Sequence, residues 1–199
     1  MRIKPLALLV TGIWLAACTS DDAGDVAELP AVDNAGDVGA MTPDDQLMDT
    51  GATAMAHIVD AEGDTLGTVT LTETEQMIQV AGTLEGLPPG THGFHLHETG
   101  VCEPPFQSAG GHWNPTDHEH GMENPQGPHL GDLPNIEVGS DSTVTVQVSS
   151  PVGATLEGTN GLLDADGAVV MVHAGADDYQ SNPSGDAGDR IACGVVVAS

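Results

Sequence analysis

Residues 68–84, TVTLTETEQMIQVAGTL, hold two runs in which apolar and polar side chains alternate: TVTLT at 68–72 and MIQVAGTL at 77–84. Successive side chains of a strand point to opposite faces, so a period of two marks a strand with one face buried and one in water. The alternation recurs in HGFHLHE (92–98) and TVTVQVS (143–149), while VVMVH (169–173) and IACGVVVA (191–198) are continuous apolar runs of strand length. Between the runs sit DAEGD, LPPG and DADG, which are turn chemistry. No segment carries a 3.6-residue apolar stripe. The pattern predicts an all-β sandwich or barrel from about residue 52 to 199, with two long irregular stretches, about 99–137 and 174–189, as loops on it. Loops of that length inside a compact domain are usually functional or disordered.

The residues before this domain are of another kind. Arg2 and Lys4 precede an apolar run from Leu6 to Ala17 that ends in LAAC at Cys18. That run is too short for a bilayer, which takes about 20 residues, and it suits a secretory leader. The ending resembles the lipobox of bacterial lipoproteins, so residues 1–17 are expected to be a lipoprotein signal peptide and Cys18 the lipidated residue. Residues 18–51 then form an acidic tether, low in hydrophobicity, in which AGDV occurs at 23–26 and again at 35–38. Lipidation of Cys18 takes one of three cysteines and leaves Cys102 and Cys193, which an oxidising compartment would allow to pair.

The whole chain carries three basic and 30 acidic residues, a formal net charge of −27. Loss of the leader removes Arg2 and Lys4, leaving Arg190 alone against 30 acids, a net of −29. Nucleic acid is excluded as a partner, because phosphate binding needs Lys and Arg. Most of the acidity serves solubility, and the single remaining arginine calls for its own explanation.

Four of the nine histidines, His112, His118, His120 and His129, lie between Gly111 and Asp132. His95 and His97, two apart on a strand, share a face, so the expectation is that Phe94 and Leu96 enter the core and the two imidazoles project outward. His173 ends another strand. Imidazole suits zinc, copper, iron and nickel, and a carboxylate such as Asp132 completes a closed zinc set.

The motifs GFHLHE, SAGGHWNP, HG, HLGDLPN, VVMVHAGADD and GDRIACG, in this order and spacing, resemble copper/zinc superoxide dismutase, especially its bacterial secreted forms. The resemblance covers about residues 52–199. It implies a Greek-key sandwich or barrel of about eight antiparallel strands, and one copper and one zinc ion per subunit. It implies His95, His97, His112 and His173 as copper ligands and His112, His120, His129 and Asp132 as zinc ligands, with His112 bridging. Asp177 is implied as the carboxylate behind His95 and His120, Cys102–Cys193 as a disulfide, and Arg190 beside His112 as the catalytic pair. The implied reaction is disproportionation of superoxide to dioxygen and hydrogen peroxide by alternate reduction and reoxidation of copper. His92 is then a hydrogen-bonded support, His57 a packed or surface residue, and His118 a bystander next to His120.

Two other functions compete. A surface protein that sequesters copper or zinc would use the same ligands without turnover, and would have no use for an open copper position beside Arg190. A hydrolytic zinc site with Glu98 or Glu119 as base would need an open zinc position, and four ligands fill it. Relatives of this type assemble differently, so a homodimer is left open. Unlike many of them, ADDYQSNPSGDAGDR (176–190) has no lysine, so the long-range attraction of superoxide expected of the family is in doubt.

Overall fold

The computed structural model describes residues 49–75, 77–159 and 161–199; the expected leader, Cys18 and most of the tether lie outside them. Among the described residues nine strands run β1 (Asp49–Asp60), β2 (Thr65–Thr74), β3 (Ile78–Glu85), β4 (Gly90–His92), β5 (Phe94–His97), β6 (Ile136–Val138), β7 (Thr143–Ser149), β8 (Val169–His173) and β9 (Arg190–Ala198). Among the described residues the one helical element is a short 3-10 turn, Gln107–Ala109. Seven strands form a curled antiparallel sheet in the order β5-β8-β9-β1-β2-β3-β7, and β4 pairs with β6. The fold is the all-β Greek-key architecture expected.

The opening stretch forms a hairpin. Val69 lies opposite Gly82, and Leu71 opposite Val80. Val69, Leu71, Ile78, Val80 and Leu84 are all fully buried in one core with Ile58, Leu96, Val170 and Val172. Each such side chain contributes about 1.5–3 kcal/mol by leaving water, so a one-residue slip of register would expose the set and is strongly disfavoured. Thr68, Thr70 and Thr83, which alternate with them, are exposed. The apolar run of β8 has a separate cause: Val170 and Val172 enter the main core, while Val169 and Met171 enter a small second core with Phe106, Ala109 and Cys193.

Two sequence expectations are corrected. HGFHLHE is not one strand, because the chain breaks at Gly93 and divides into β4 and β5 in different sheets. The imidazoles of His95 and His97 do not project into solvent; both are buried. Their cover is the histidine-rich loop, which docks on the free edge of β5. Leu96 N–H donates to Gly131 O (2.9 Å), Trp113 N–H to Leu96 O (2.8 Å) and Gly131 N–H to Trp113 O (2.9 Å). These bonds use the edge groups that an uncovered strand leaves unpaired. They also set His97 across from His112 and His95 across from Asp132. Gly131 is required there, since a Cβ would run into Leu96 O and Trp113 N.

Candidate metal centre

Two groups of buried ligand atoms meet at His112. One holds His95, His97, His112 and His173; the other holds His112, His120, His129 and Asp132. β5 supplies His95 and His97, β8 supplies His173, and the loop docked on β5 supplies the rest. A register shift between Val172 and His173 sets His173 opposite Arg190 at the start of β9.

Hydrogen bonds fix which nitrogen of each ring is free. His95 Nε2–H donates to Asp177 Oδ2 (2.7 Å), leaving Nδ1 as the lone pair. His97 Nδ1–H donates to Gly110 O (3.1 Å) and His173 Nδ1–H to Gly188 O (3.2 Å), leaving their Nε2 atoms, which face each other at 3.5 Å. His95 Nδ1 and His112 Nε2 are buried and have no hydrogen-bond partner among the described residues. Buried polar atoms without partners cost about 1–3 kcal/mol each, and facing lone pairs repel. Four nitrogens that converge with nothing to donate to them fit a cation that accepts lone pairs. Burial holds His95 down to about 3 and His173 to about 4, and also lowers His97, so these rings are neutral at pH 7.

The second group is built on a carboxylate. Asp132 Oδ1 lies 2.7 Å from His112 Nδ1, 3.1 Å from His120 Nδ1 and 3.2 Å from His129 Nδ1. Its other oxygen accepts from the backbone N–H of Gly121 (2.9 Å) and His129 (3.0 Å). Burial works against the Asp132 charge, yet the three imidazoles and the Gly121 N–H outweigh it and hold the carboxyl far below the usual range. Three nitrogens gathered on one anionic oxygen fit a divalent cation, and three histidines with one carboxylate is a closed zinc set. His120 is the exception in charge. Burial lowers its affinity for a proton, but Asp132 on one side and Asp177 on the other raise it to about 9.

Asp177 joins the two groups, with Oδ2 on His95 and Oδ1 on His120 Nε2 (3.1 Å). It too is held below the usual carboxylate range, burial opposing and the two imidazoles prevailing. Its placement depends on residues the sequence reading did not single out. Asn135 holds the Asp177 backbone from both sides, Oδ1 accepting from its N–H and Nδ2 donating to its carbonyl, each at 2.9 Å. Gly185, at φ 63°, leaves the space beside the carboxylate: a Cβ would fall on Asp177 Oδ1 and crowd His120 Nε2. In the sequence Gly185 stands between Ser184 and Asp186 and carries no mark of this role, which arises only from the path of the loop.

The remaining residues separate clearly. His92 is buried, with Nδ1 2.8 Å from His173 O and Nε2 2.8 Å from Pro88 O, so it braces the strand that ends in His173. His57 is exposed and bonded to Thr68 (2.8 Å). His118 is exposed, with Nδ1 3.2 Å from Pro128 O, and is not in either group. Cys102 and Cys193 form a disulfide across a sequence separation of 91. Arg190, half-buried, donates from Nη1 to Phe106 O and from Nη2 to Gly110 O, both at 2.6 Å. Gly110 O therefore serves both Arg190 and His97.

Residues 65–196 match the family model described as copper/zinc superoxide dismutase. The chain is 44% identical over 146 residues to "Superoxide dismutase [Cu-Zn] 2" of Aquifex aeolicus, covering 72% of this chain and 85% of that protein. It is 42% identical over 149 residues to "Superoxide dismutase [Cu-Zn]" of Caulobacter vibrioides, covering 72% and 85%. Among solved structures it is similar to a double mutant of a SOD-like protein from Bacillus subtilis, at 42% identity and TM-score 0.67, covering 71% of this chain and 95% of that one. It is also similar to the Cu/Zn superoxide dismutase from Brucella abortus, at 31% identity and TM-score 0.59, covering 73% and 99%.

Proposed function

The chain belongs to the copper/zinc superoxide dismutase family and is a superoxide dismutase using one copper and one zinc ion; on that premise we propose how its own residues divide the work and where in the cell it acts. The reaction converts two superoxide anions and two protons to dioxygen and hydrogen peroxide. His95, His97, His112 and His173 would hold copper, and His112, His120, His129 and Asp132 would hold zinc. When bound, copper supplies one-electron chemistry, and zinc, which has none, supplies fixed positive charge.

His112 is the residue on which the proposal turns. Its Nδ1 lies in the zinc group and its Nε2 in the copper group, where it is buried and has no hydrogen-bond partner among the described residues. Nε2 can therefore take a proton and give it up again while Nδ1 keeps the ring in place. Burial lowers the ring's affinity for a proton, against the pull of Asp132. Arg190 is the one basic side chain among the described residues and draws the anionic substrate in, its guanidinium held by two carbonyls. Asp177 and Asn135 act on His95 and His120 by orientation; carboxylates behind ligating histidines commonly change metal affinity about 10–100-fold.

The observation that carries the reading is the completeness of both ligand groups around one shared imidazole. Metal analysis with a superoxide-decay assay tests it: one copper and one zinc per chain with no turnover sinks the assignment of roles and favours the sequestering protein.

The same proposal places the mature protein outside the cytoplasm, held to a membrane through lipidated Cys18. The lipobox-like LAAC and the Cys102–Cys193 disulfide, which needs an oxidising compartment, support it. Palmitate labelling that persists in Cys18→Ala overturns this part.

A further inference from the structure

Phe106 breaks a local rule. Its backbone is left-handed, φ 63° and ψ 16°, a conformation that a bulky side chain rarely takes and glycine takes freely. Such strain costs about 1–3 kcal/mol, and it persists only where the surroundings over-determine it. The ring is fully buried in the second core, with Ala109, Val169, Met171 and Cys193. The carbonyl of the same residue accepts the 2.6 Å bond from Arg190 Nη1. Gly110 O, which takes Nη2, lies four residues on, just past the turn that Phe106 begins.

We infer that Phe106 is a positioning residue for Arg190: its buried ring fixes the loop against β8 and β9, so that its carbonyl holds the guanidinium where the anion is received. The ring's neighbours explain why the anchor is firm. Val169 and Met171 belong to β8, and Cys193 to β9, the strand that begins with Arg190 itself. The loop is joined to that strand three residues beyond Arg190 by the disulfide from Cys102. Arginine, carbonyl and ring thus close a short circuit, in which the left-handed residue converts ring burial into carbonyl direction. A glycine would suit the backbone better but would leave the carbonyl free to turn, and Arg190 free to leave.

This inference rests on Arg190 being the anion-receiving residue, and the test separates the two. Azide is titrated into copper- and zinc-loaded protein and followed optically, which reads anion affinity without turnover. Arg190→Gln alone tests the role of the arginine and is expected to lower azide affinity about tenfold, the loss of one charge-assisted contact. Phe106→Gly, with metals and disulfide retained, is expected to lose a similar amount, whereas Phe106→Leu, which refills the second core, stays within about threefold of the parent. Arg190→Gln combined with Phe106→Gly is expected to bind azide no more weakly than Arg190→Gln alone, because residues acting through one contact are not additive. Unchanged azide affinity in Phe106→Gly, or an additive loss in the double variant, overturns the inference. If Phe106→Gly does not fold, Phe106→Ala, which also removes the ring from the second core, takes its place in the cycle, where unchanged azide affinity or an additive loss is again the refuting result.

Discussion

Zinc binding to the metal-free protein should release a proton that copper binding does not. The reason lies in His120, whose ring sits between Asp132 and Asp177 and is raised from 6.5 to about 9. At pH 7 a ring of that pKa is protonated about 100 to 1, and a metal can bind only the neutral form. Zinc must therefore displace the proton. Its affinity should rise about tenfold per pH unit between pH 7 and 9, about 2.7 kcal/mol in all, before the His120 contribution levels off above 9. His95 at about 3 and His173 at about 4, with His97 lowered as well, are already neutral, so these rings release nothing to copper at pH 7. Titration calorimetry in buffers of different ionisation enthalpy counts the protons, and chelator competition from pH 7 to 10 gives the slope. Asp177→Asn leaves Asp132 alone to hold the His120 proton, so the plateau should move to lower pH. A zinc affinity that is flat from pH 7 to 9 refutes the reasoning. The same shift has a consequence for folding. A raised folded pKa contributes stability that is full below about 6.5 and is lost as pH rises through about 9, so the metal-free protein should melt lower at pH 9.5 than at pH 7.5, a window in which the lowered rings of His95, His97, His112 and His173 stay neutral in both the folded and the unfolded chain.

Three further outcomes follow from the charge and the loops. The rate constant for superoxide decay should stay flat or rise with added salt, since screening over about 8–10 Å weakens repulsion from a chain of net −27; a steep fall in a pulse-radiolysis salt series means that Arg190 and the metals dominate the field. His118→Ala should leave bound zinc unchanged while His120→Ala loses it, and equal zinc content in the two variants reverses their assignment. Gly185→Ala should weaken zinc binding by about 10–100-fold, because its Cβ would displace the Asp177 carboxylate from His120; unchanged affinity, measured by the same chelator competition, shows that the loop yields without cost.

Much of the fold can be read directly from the chain. Strand periodicity is a local property, and TVTVQVS and VVMVH coincide residue for residue with β7 and β8. The candidate ligand residues are legible for a related reason, since copper and zinc restrict donors to few residue types and His, Asp and their spacing survive as a pattern. That Arg190 is the one lysine or arginine among the described residues is likewise a matter of composition. What sequence misjudged was environment. The His95 and His97 pair reads as an exposed face because alternation reports only which residues lie on opposite sides, and not what covers either side. The cover comes from backbone bonds between β5 and a loop whose docking depends on Gly131 having no side chain.

Tertiary structure alone decided the chemistry of each ring. Asp177 reaches His95 from 82 residues away and His120 from 57. Asp132 lies next to His120 although 12 residues separate them. Those distances fix which nitrogen carries a proton, which ring is charged and which lone pair is left for a metal. Phe106 makes the same point in reverse: its identity as an apolar aromatic is plain in the sequence, but only the packed second core explains why a left-handed residue carries a ring. Residue type and local period are determined along the chain, where neighbours are covalent. Proton affinity and carbonyl direction are determined across it, where burial and distant charges act.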